Sequence, residues 1–363
     1  MFRELKRDYL LLSALLLLFV VAILNPALIT KYPYYVDWHT ILLLSSLFLI
    51  TTAIKDSYYF DILARRLISK YENERILAVS LVLVAFFLSM LITNDVALLI
   101  LVPLTLSLQK LIQQDIRKII IFEALAVNTG SALTPIGNPQ NIYLWRLWNV
   151  GFLDFIIHLL PLVIIMLLLL LLFLSFIFPS RKIHKIESAE AKNEDKRLAF
   201  ASLTLLLFLV ASMELGVQIY LIPIIFLFYL IYRPRTYMHV DWPLILVFIL
   251  FLMEFNALAH MPFIFHFFSH NLSPKDTYLY SALFSQVMSN VPSAIFFANF
   301  SNHYKALVYG VSVGGNGTAI ASLANLIALR FVRDRKIWIS FHKYSVLYFI
   351  LSFTIIYIIL FSH

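Results

Sequence analysis

Apolar segments long enough to cross a bilayer follow one another along nearly the whole chain, with short polar connections between them. They cover residues 9–29, 38–54, 76–109, 116–150, 155–178, 198–214, 217–232, 242–258, 277–302, 303–329 and 343–361. A helix needs about 20 predominantly apolar residues to cross the hydrocarbon core. The pattern therefore predicts an all-α polytopic membrane protein.

The segment 116–150 is interrupted at its centre by residues that a lipid-facing helix does not tolerate. From Val127 to Ile142 it reads VNTGSALTPIGNPQNI, with two glycines, two prolines and several carboxamides. Proline breaks the helical hydrogen-bond ladder, and freed backbone groups at membrane depth must lie within protein or line a cavity. We expect a broken helix here, with a polar site near the middle of the membrane.

The same pattern recurs 184 residues later, from Val311 to Leu326, as VSVGGNGTAIASLANL. The identical pairs are Val127/Val311, Gly130/Gly314, Thr134/Thr318, Ile136/Ile320 and Asn141/Asn325. Two interrupted segments at corresponding places in two halves are typical of the binding site of a secondary transporter. The sequence therefore predicts two broken helices that share one site.

Two further segments, 76–109 and 277–302, are split by polar residues, and we expect each to form a re-entrant helical hairpin. Their centres hold Thr93-Asn94-Asp95 and Ser289-Asn290 respectively. A hairpin enters and leaves on the same side, and its polar tip is buried in protein.

The repeat extends beyond the broken helices and divides the chain. Asp37-Trp38 recurs as Asp241-Trp242, 204 residues later, and Thr93-Asn94 recurs as Ser289-Asn290, 196 residues later. We therefore assign 1–178 to a first inverted repeat, 179–214 to a cytoplasmic linker and connecting span, and 215–363 to a second inverted repeat. This division gives about nine membrane crossings and two hairpins that enter from opposite faces.

The distribution of positive charge supports this topology. With a cytoplasmic N-terminus and an external C-terminus, 24 of the 28 lysines and arginines lie inside, and only Lys31, Arg146, Lys275 and Lys305 lie outside. Such a bias is expected of a multi-pass protein of the cell membrane. The net charge of +8 therefore reflects orientation and contact with the lipid bilayer, and we expect no nucleic-acid partner.

The remaining chemistry argues against an enzyme. Cysteine is absent, which excludes disulfides, thiolate metal sites and cysteine nucleophiles. The sequence has no His-Glu-x-x-His and no pair of aspartates in Gly-Asp or Tyr-Asp settings on facing spans. A channel could share a polar midplane but would not require the repeat, so an ion-coupled transporter accounts for more of the sequence.

Four motifs resemble one known group of proteins. They are LITNDVALLILVPL, GSALTPIGNPQNIYLW, SQVMSNVPSAI and YGVSVGGNGTAIASLANLIAL. They resemble the ion transporter superfamily, most of all the permeases grouped with arsenite pumps, NhaD-type sodium/proton antiporters and divalent anion/sodium symporters, a citrate-transporter-like set. The resemblance implies that hairpin tips and unwound helices surround substrate and coupling ion, and that this unit moves like an elevator.

The hairpin tips depart from the pattern of the dicarboxylate symporters, in which both resemble Ser-Asn-Thr. Here the third position is Asp95 in one tip and Val291 in the other. The asparagine is retained in both tips, whereas dicarboxylate specificity is not implied.

Half-helix N-termini suit an anion, while C-terminal carbonyls and Ser, Thr and Asn oxygens suit a dehydrated sodium ion. We therefore expect substrate or ion to be bound by Thr93, Asn94, Asp95, Thr134, Gly137, Asn138, Gln140, Asn141, Ser289, Asn290, Gly315, Asn316, Gly317, Thr318, Ser322 and Asn325. Sodium would lie at Asn94, Gly137 and Asn290, with Asn141 and Asn325 projecting toward the hairpin tips.

Acidic residues within the membrane are costly and by default functional. We assign a coupling role to Asp95. Glu123 either supports coupling from behind the binding site or makes a hydrogen bond between packed helices. Glu214 and Glu254 are expected at the interface. His260, His266 and His270 fall in a predicted external surface helix rich in phenylalanine, which fits an interfacial helix better than a metal site.

The sequence thus predicts a secondary active transporter of a small anionic solute, coupled to sodium or protons. The alternative is a sodium/proton antiporter or an arsenite-type exporter. We expect no cofactor beyond the coupling ion, and a homodimer is left open.

The topology can be tested by labelling single cysteines, because the chain has none of its own. A membrane-impermeant maleimide should label Lys275→Cys in intact cells and Lys110→Cys only after permeabilisation, since the two hairpins open to opposite sides. Labelling of both positions from the same side contradicts the predicted topology.

Overall fold

A computed structural model describes residues 9–68, 73–108, 115–182, 194–268, 272–332, 334 and 336–361. Within these ranges the protein is helical and contains no β-strand beyond a single bridge between Asn73 and Lys182. The helices are α1 (Tyr9–Leu24), α2 (Trp38–Asp56), α3 (Tyr59–Ile68), α4 (Glu74–Leu91), α5 (Asn94–Ser107), α6 (Ile116–Ser131), α7 (Pro139–Leu147), α8 (Phe152–Ile177), α9 (Lys196–Glu214), α10 (Gln218–Tyr232), α11 (Trp242–Ala259), α12 (Pro262–Phe268), α13 (Pro274–Met288), α14 (Asn290–Phe297), α15 (Tyr304–Gly314), α16 (Leu323–Phe331) and α17 (Lys336–Phe361). The predicted all-α polytopic membrane fold is confirmed.

Fewer uninterrupted spans are present than the nine predicted crossings. Among the described residues six helices, α2, α4, α8, α9, α11 and α17, are long and apolar enough to cross a membrane. A seventh arises if α1 is joined to the bent segment Pro26–Tyr35, at an angle of 119°. The difference has a physical reason, since both broken helices divide into pieces that are each too short, and α10 has only 15 residues.

The two spans that open with Asp-Trp begin where the sequence placed them. Asp37 caps α2 by accepting a hydrogen bond from the backbone N–H of His39 (3.1 Å). Asp241 caps α11 by accepting from the backbone N–H of Leu244 (3.1 Å). An aspartate at this position satisfies N–H groups that have no partner within the helix.

The second hairpin consists of α13 and α14 and reverses at a single residue. Ser289 has φ 79° and separates the two helices. Beyond the tip, the Ser293 hydroxyl donates to the carbonyl of Ser281 (2.8 Å). At the base, the Leu272 N–H donates to the carbonyl of Phe300 (3.3 Å). The segment therefore leaves beside the place where it enters.

The first hairpin has the same construction. Ile92 and Thr93 are extended, α4 and α5 flank them, and the two arms pack against each other. The predicted helix breaks at both hairpin tips are confirmed.

Both broken helices unwind where glycine and proline predicted. α6 ends at Ser131, the 3₁₀ turn Pro135–Gly137 follows, and α7 begins at Pro139. α15 ends at Gly314, the 3₁₀ turn Ala319–Ala321 follows, and α16 begins at Leu323. Each half therefore supplies one short irregular segment between two short helices.

Each broken helix packs on its own hairpin through equivalent contacts. A Cβ on Gly130 would lie 2.1 Å from the Phe86 carbonyl oxygen. In the second half, a Cβ on Gly314 would lie 3.0 Å from the Ala282 carbonyl oxygen. Because the helix backbones approach so closely, a side chain at these two glycines would force them apart.

A matching pair of hydrogen bonds ties each break to its hairpin. The Thr134 hydroxyl donates to the carbonyl of Met90 (2.9 Å). The Thr318 hydroxyl donates to the carbonyl of Gln286 (2.8 Å). The spacings of 184 residues between breaks and 196 between hairpins are those seen in the sequence.

The two halves also contact each other through equivalent pairs of residues at the ends of α2 and α11. The ring of Tyr35, just before α2, stacks on His260 at the end of α11, with centroids 5.3 Å apart. His239, just before α11, lies 2.6 Å from Asp56 at the end of α2. The start of each helix is thus near the end of the other, so α2 and α11 run antiparallel.

One expectation is corrected in the surface segments, and two others fall partly outside the described residues. His260 lies just after α11 and not in the short helix α12, whose Phe263, Phe265 and Phe267 are exposed. His270 lies outside the described residues, and no cluster of three His, Asp or Glu suited to a metal occurs in the part that the structure describes. Of the predicted linker in 179–214, residues 183–193 lie outside the described ranges.

Candidate functional site

Both hairpin tips and both breaks border one cavity of about 330 Å³. Six of the predicted site residues line it, namely Asn94, Asp95, Gln140, Ser289, Asn290 and Ser322. The facing wall is apolar and comes from α1, α2 and α11, with Phe248, Phe251 and Phe255 among its residues. A concave, mostly apolar space with a few convergent polar groups is typical of a small-molecule site.

Three helices start at this cavity without a hydrogen bond from their N-cap side chain, although in α5 the Asp95 N–H donates to Asn94 Oδ1 (3.0 Å). Thr93, Ser289 and Ser322 precede α5, α14 and α16, and none of these side chains caps its helix. The first residues of the three helices, Asn94, Asn290 and Leu323, all line the cavity. Such termini carry partial positive charge and uncommitted donors.

Asp95 is the single acidic residue among the described residues that line the cavity, and it is only 6% exposed. Its Oδ1 has no hydrogen-bond partner among the described residues, and neither has the hydroxyl of the neighbouring Thr93. A buried carboxylate without a partner is costly unless a proton or cation neutralises it.

Asn141 holds the first break together from within. Its Nδ2 donates to three carbonyl oxygens of the break, those of Ser131 (3.1 Å), Ala132 (3.2 Å) and Thr134 (3.0 Å). The expectation that Asn141 projects toward the hairpin tips is therefore wrong. Unwound carbonyls at membrane depth need donors, and this carboxamide supplies them.

Asn325 does the same in the second half. Its Nδ2 donates to the carbonyl oxygens of Gly315 (2.9 Å) and Thr318 (3.1 Å), the equivalents of Ser131 and Thr134. Its orientation toward the hairpin tips was also predicted wrongly.

The remaining predicted site residues shape the breaks rather than line the cavity. Asn138 caps α7 by accepting from the Asn141 N–H (2.9 Å). A Cβ on Gly137 would lie 2.2 Å from the Ser131 carbonyl oxygen, and one on Gly317 only 1.7 Å from Gln286 Oε1. Gly137, predicted to help bind sodium, is not in the cavity lining.

Gly315 and Gln286 join the second tip to the second break. A Cβ on Gly315 would lie 2.8 Å from Asn290 Nδ2. Gln286 Nε2 donates to the Gly314 carbonyl (2.7 Å), and its Oε1 accepts from the Thr318 N–H (2.8 Å).

Asn128 connects the two halves and was missed as a site residue. Its Nδ2 donates to Asn325 Oδ1 (2.8 Å) and to the Gly315 carbonyl (3.1 Å). Its Oδ1 accepts from the Ser322 hydroxyl (2.9 Å) and lies 3.5 Å from Asn94 Nδ2. The available signal was a carboxamide on a fully buried apolar helix, one turn before the break.

The counterpart of Asn128 in the second half is Ser312, 184 residues later, and it makes no such connection. Its hydroxyl has no partner within the described residues, and neither has Asn141 Oδ1 nor Asn316 Oδ1. All three side chains are buried. In the repeat Ser312 corresponds to Asn128 and Asn141 to Asn325, so from the Asn128–Asn325 contact we expect Ser312 to lie near Asn141.

The other three acidic residues that were singled out lie outside the cavity lining, each in different surroundings. Glu123 is buried, accepts a hydrogen bond from Thr105 far from the hairpin tip, and does not line the cavity. Glu214 caps α8 by accepting from the Phe152 N–H (2.6 Å). Glu254 is fully buried within the protein near the end of α11, and its expected position at the membrane interface stays a prediction.

Comparison with known proteins agrees with this architecture. A family model described as citrate transporter matches residues 1–304. The inner membrane protein YbiR of Escherichia coli is 37% identical over 318 residues, covering 87% of this chain and 86% of that protein. The uncharacterized transporter MJ0456 of Methanocaldococcus jannaschii is 34% identical over 321 residues, with shares of 87% and 86%. The human P protein is 27% identical over 120 residues, which is 32% of this chain and 14% of that protein.

The role of the two asparagines can be tested by stability. Asn141→Ala and Asn325→Ala should each lower the free energy of unfolding by about 1 to 3 kcal/mol, because buried carbonyls lose their donor. Thermal unfolding of the purified protein in detergent checks this, with the exposed Asn302→Ala as the matched control. Equal stability of all three variants would contradict the assigned role.

Proposed function

Because the chain belongs to the citrate transporter family, we propose that it is a secondary active transporter of a small anion, coupled to sodium or protons. Membership points to a transporter rather than an enzyme. The observation that carries the proposal is the single cavity into which both hairpin tips and both breaks open.

The chemistry of the lining favours an anion held by neutral donors. Within the described part of the chain, no lysine, arginine or histidine lines the cavity. Three uncapped helix starts and the amides of Asn94, Gln140 and Asn290 are available instead. Backbone N–H groups at helix starts bind anions well without a formal positive charge.

A coupling ion follows from the presence of Asp95. An ionised carboxylate would repel a bound anion, so Asp95 is compatible with the substrate only when a proton or a cation neutralises it. This requirement links the substrate to the coupling ion. Asp95 also favours the second candidate, sodium/proton antiport, in which the carboxylate would bind the two cations in turn.

A site for the cation is supported by the asymmetry between Asn128 and Ser312. Asn128 of the first half donates its amide N–H groups to the Asn325 and Gly315 oxygens of the second half. By contrast, Asn141 Oδ1 in the first half and Ser312 Oγ and Asn316 Oδ1 in the second have no donor among the described residues. Neutral oxygens suit a dehydrated sodium ion, so we place one cation at these residues.

The movement is an elevator motion of the hairpins and broken helices against α2 and α11. The close contacts at Gly130 and Gly314 support movement of each hairpin with its broken helix. The antiparallel α2 and α11 support inverted repeats, and a pseudo-twofold relation supplies two equivalent end states.

Asp95→Asn separates the coupling modes. Under proton coupling, the neutral side chain should retain substrate exchange and lose accumulation driven by a pH gradient. Under sodium coupling, it should weaken sodium dependence and substrate binding together, and under antiport it should abolish both fluxes. The measurement is flux into liposomes with imposed gradients against a panel of small anions. A variant that accumulates substrate with unchanged pH and sodium dependence leaves Asp95 as a hairpin cap.

Ser312→Asn tests the cation position. The longer amide should donate to Asn141 Oδ1 as Asn128 does to Asn325, and so replace the cation by a fixed hydrogen bond. We expect sodium-dependent flux to fall at least about tenfold, as a loss of roughly 1.4 kcal/mol in cation binding would give. Ser345→Asn, also at a buried serine, is the control for added volume. Full retention of sodium dependence in Ser312→Asn refutes this placement.

A further inference from the structure

Glu254 is a fully buried acid that the transport site does not use. It lies near the end of α11, and neither carboxylate oxygen has a hydrogen-bond partner among the described residues. No described lysine or arginine forms an ion pair with it. Its counterpart in the first half, 204 residues earlier, is Ile50, so the acid is a departure from the repeat.

The helical turn Tyr32–Tyr35 lies against this end of α11. Tyr32 packs with Val21 and Ala257 in one apolar cluster. Ala257 lies one turn after Glu254 on α11, and Asn256 Nδ2 donates to the Tyr35 carbonyl (3.5 Å). The hydroxyl oxygens of Tyr32 and Tyr35 are themselves buried and have no partner among the described residues. Three polar groups that each require a hydrogen bond therefore meet in one apolar region.

Few other titratable groups are near. His260 stacks on Tyr35, and its Nδ1 lies 2.8 Å from the Asn256 carbonyl. From Leu10 to Leu24, α1 has no titratable side chain, and α14 has none. At the start of α2, Asp37 faces Arg146 (3.5 Å), and His266 of α12 is exposed.

This region adjoins the joint between α11 and the second hairpin. Phe251 and Phe255 of α11 line the transport cavity. At the next residue, Asn256 Oδ1 accepts from Asn299 Nδ2 (2.9 Å), just beyond α14. A shift of the hairpin along α11 would therefore change the surroundings of Glu254.

We propose that Glu254, together with the hydroxyls of Tyr32 and Tyr35, forms a proton-binding site on α11 that is separate from the hairpin tips. A proton from solvent binds one carboxylate oxygen and gives a neutral carboxyl group. In the ionised form the two phenolic O–H groups, directly or through water, are the donors that the carboxylate requires. Proton binding here does not depend on the proposed transport function, whereas its effect on flux does.

The test is infrared difference spectroscopy of the full chain in liposomes during steps of pH. The wild type should show a carboxyl C=O band that titrates, and Glu254→Gln should lose that component. Glu214→Gln is the matched control, because Glu214 already accepts backbone N–H donors. Tyr32→Phe and Tyr35→Phe should each raise the midpoint by about 0.5 to 1 pH unit, since a donor to the ionised form is lost.

The outcomes are distinguishable from failure of the proposed function. A titrating Glu254 band in a protein without anion flux supports the site and contradicts transport. Flux with the wild-type spectrum unchanged in Glu254→Gln overturns the site and leaves transport intact. If Glu254→Gln does not fold, Tyr32→Phe decides, and an unchanged midpoint in that variant overturns the proposal.

Discussion

A helix that unwinds inside a membrane must find protein partners for the backbone groups it releases, and the rest of this structure depends on that requirement. Here the partners are internal. Asn141 and Asn325 each reach back over their own break to carbonyl oxygens that water cannot satisfy. The cavity can remain small and mostly apolar because the breaks do not depend on solvent.

The repeat supplies the frame, and its departures carry the chemistry. Equivalent contacts at Gly130 and Gly314 fix each broken helix to its hairpin. Charge and unpaired oxygens occur where equivalence fails, as at Asp95 opposite Val291 and Ser312 opposite Asn128. Two symmetric halves with no such differences would offer a coupling ion no preference between them.

The sequence was sufficient for the helix breaks, since proline and glycine act locally through the backbone. It was also sufficient for the starts of α2 and α11, because an aspartate cap acts within one turn. It was insufficient for side-chain direction. Asn141 was expected to face the hairpin tips because a carboxamide suits a ligand. Its amide instead donates to the unwound carbonyls nearby, which need a hydrogen-bond donor.

Glu254 is a second residue whose surroundings could not be predicted from the sequence. The position of Glu254 near a helix end suggested the membrane interface. The turn Tyr32–Tyr35 folds back and buries Glu254, and this turn follows a bend of 119° whose angle the local sequence does not predict. Asn128 was passed over because it sits in regular helix, where its reach to the other half depends on tertiary packing.

The two hairpins differ in the number of hydrogen bonds that hold each tip to its break. In the second half Gln286 adds two hydrogen bonds from hairpin to break, whereas Met90 at the same place in the first half has no group to make them. At about 0.5 to 1.5 kcal/mol for each bond, separating the first tip from its break costs less free energy than separating the second. The repeat thus builds two similar hairpins that are held to their breaks with unequal strength, so a perturbation that weakens these contacts should separate the first hairpin before the second.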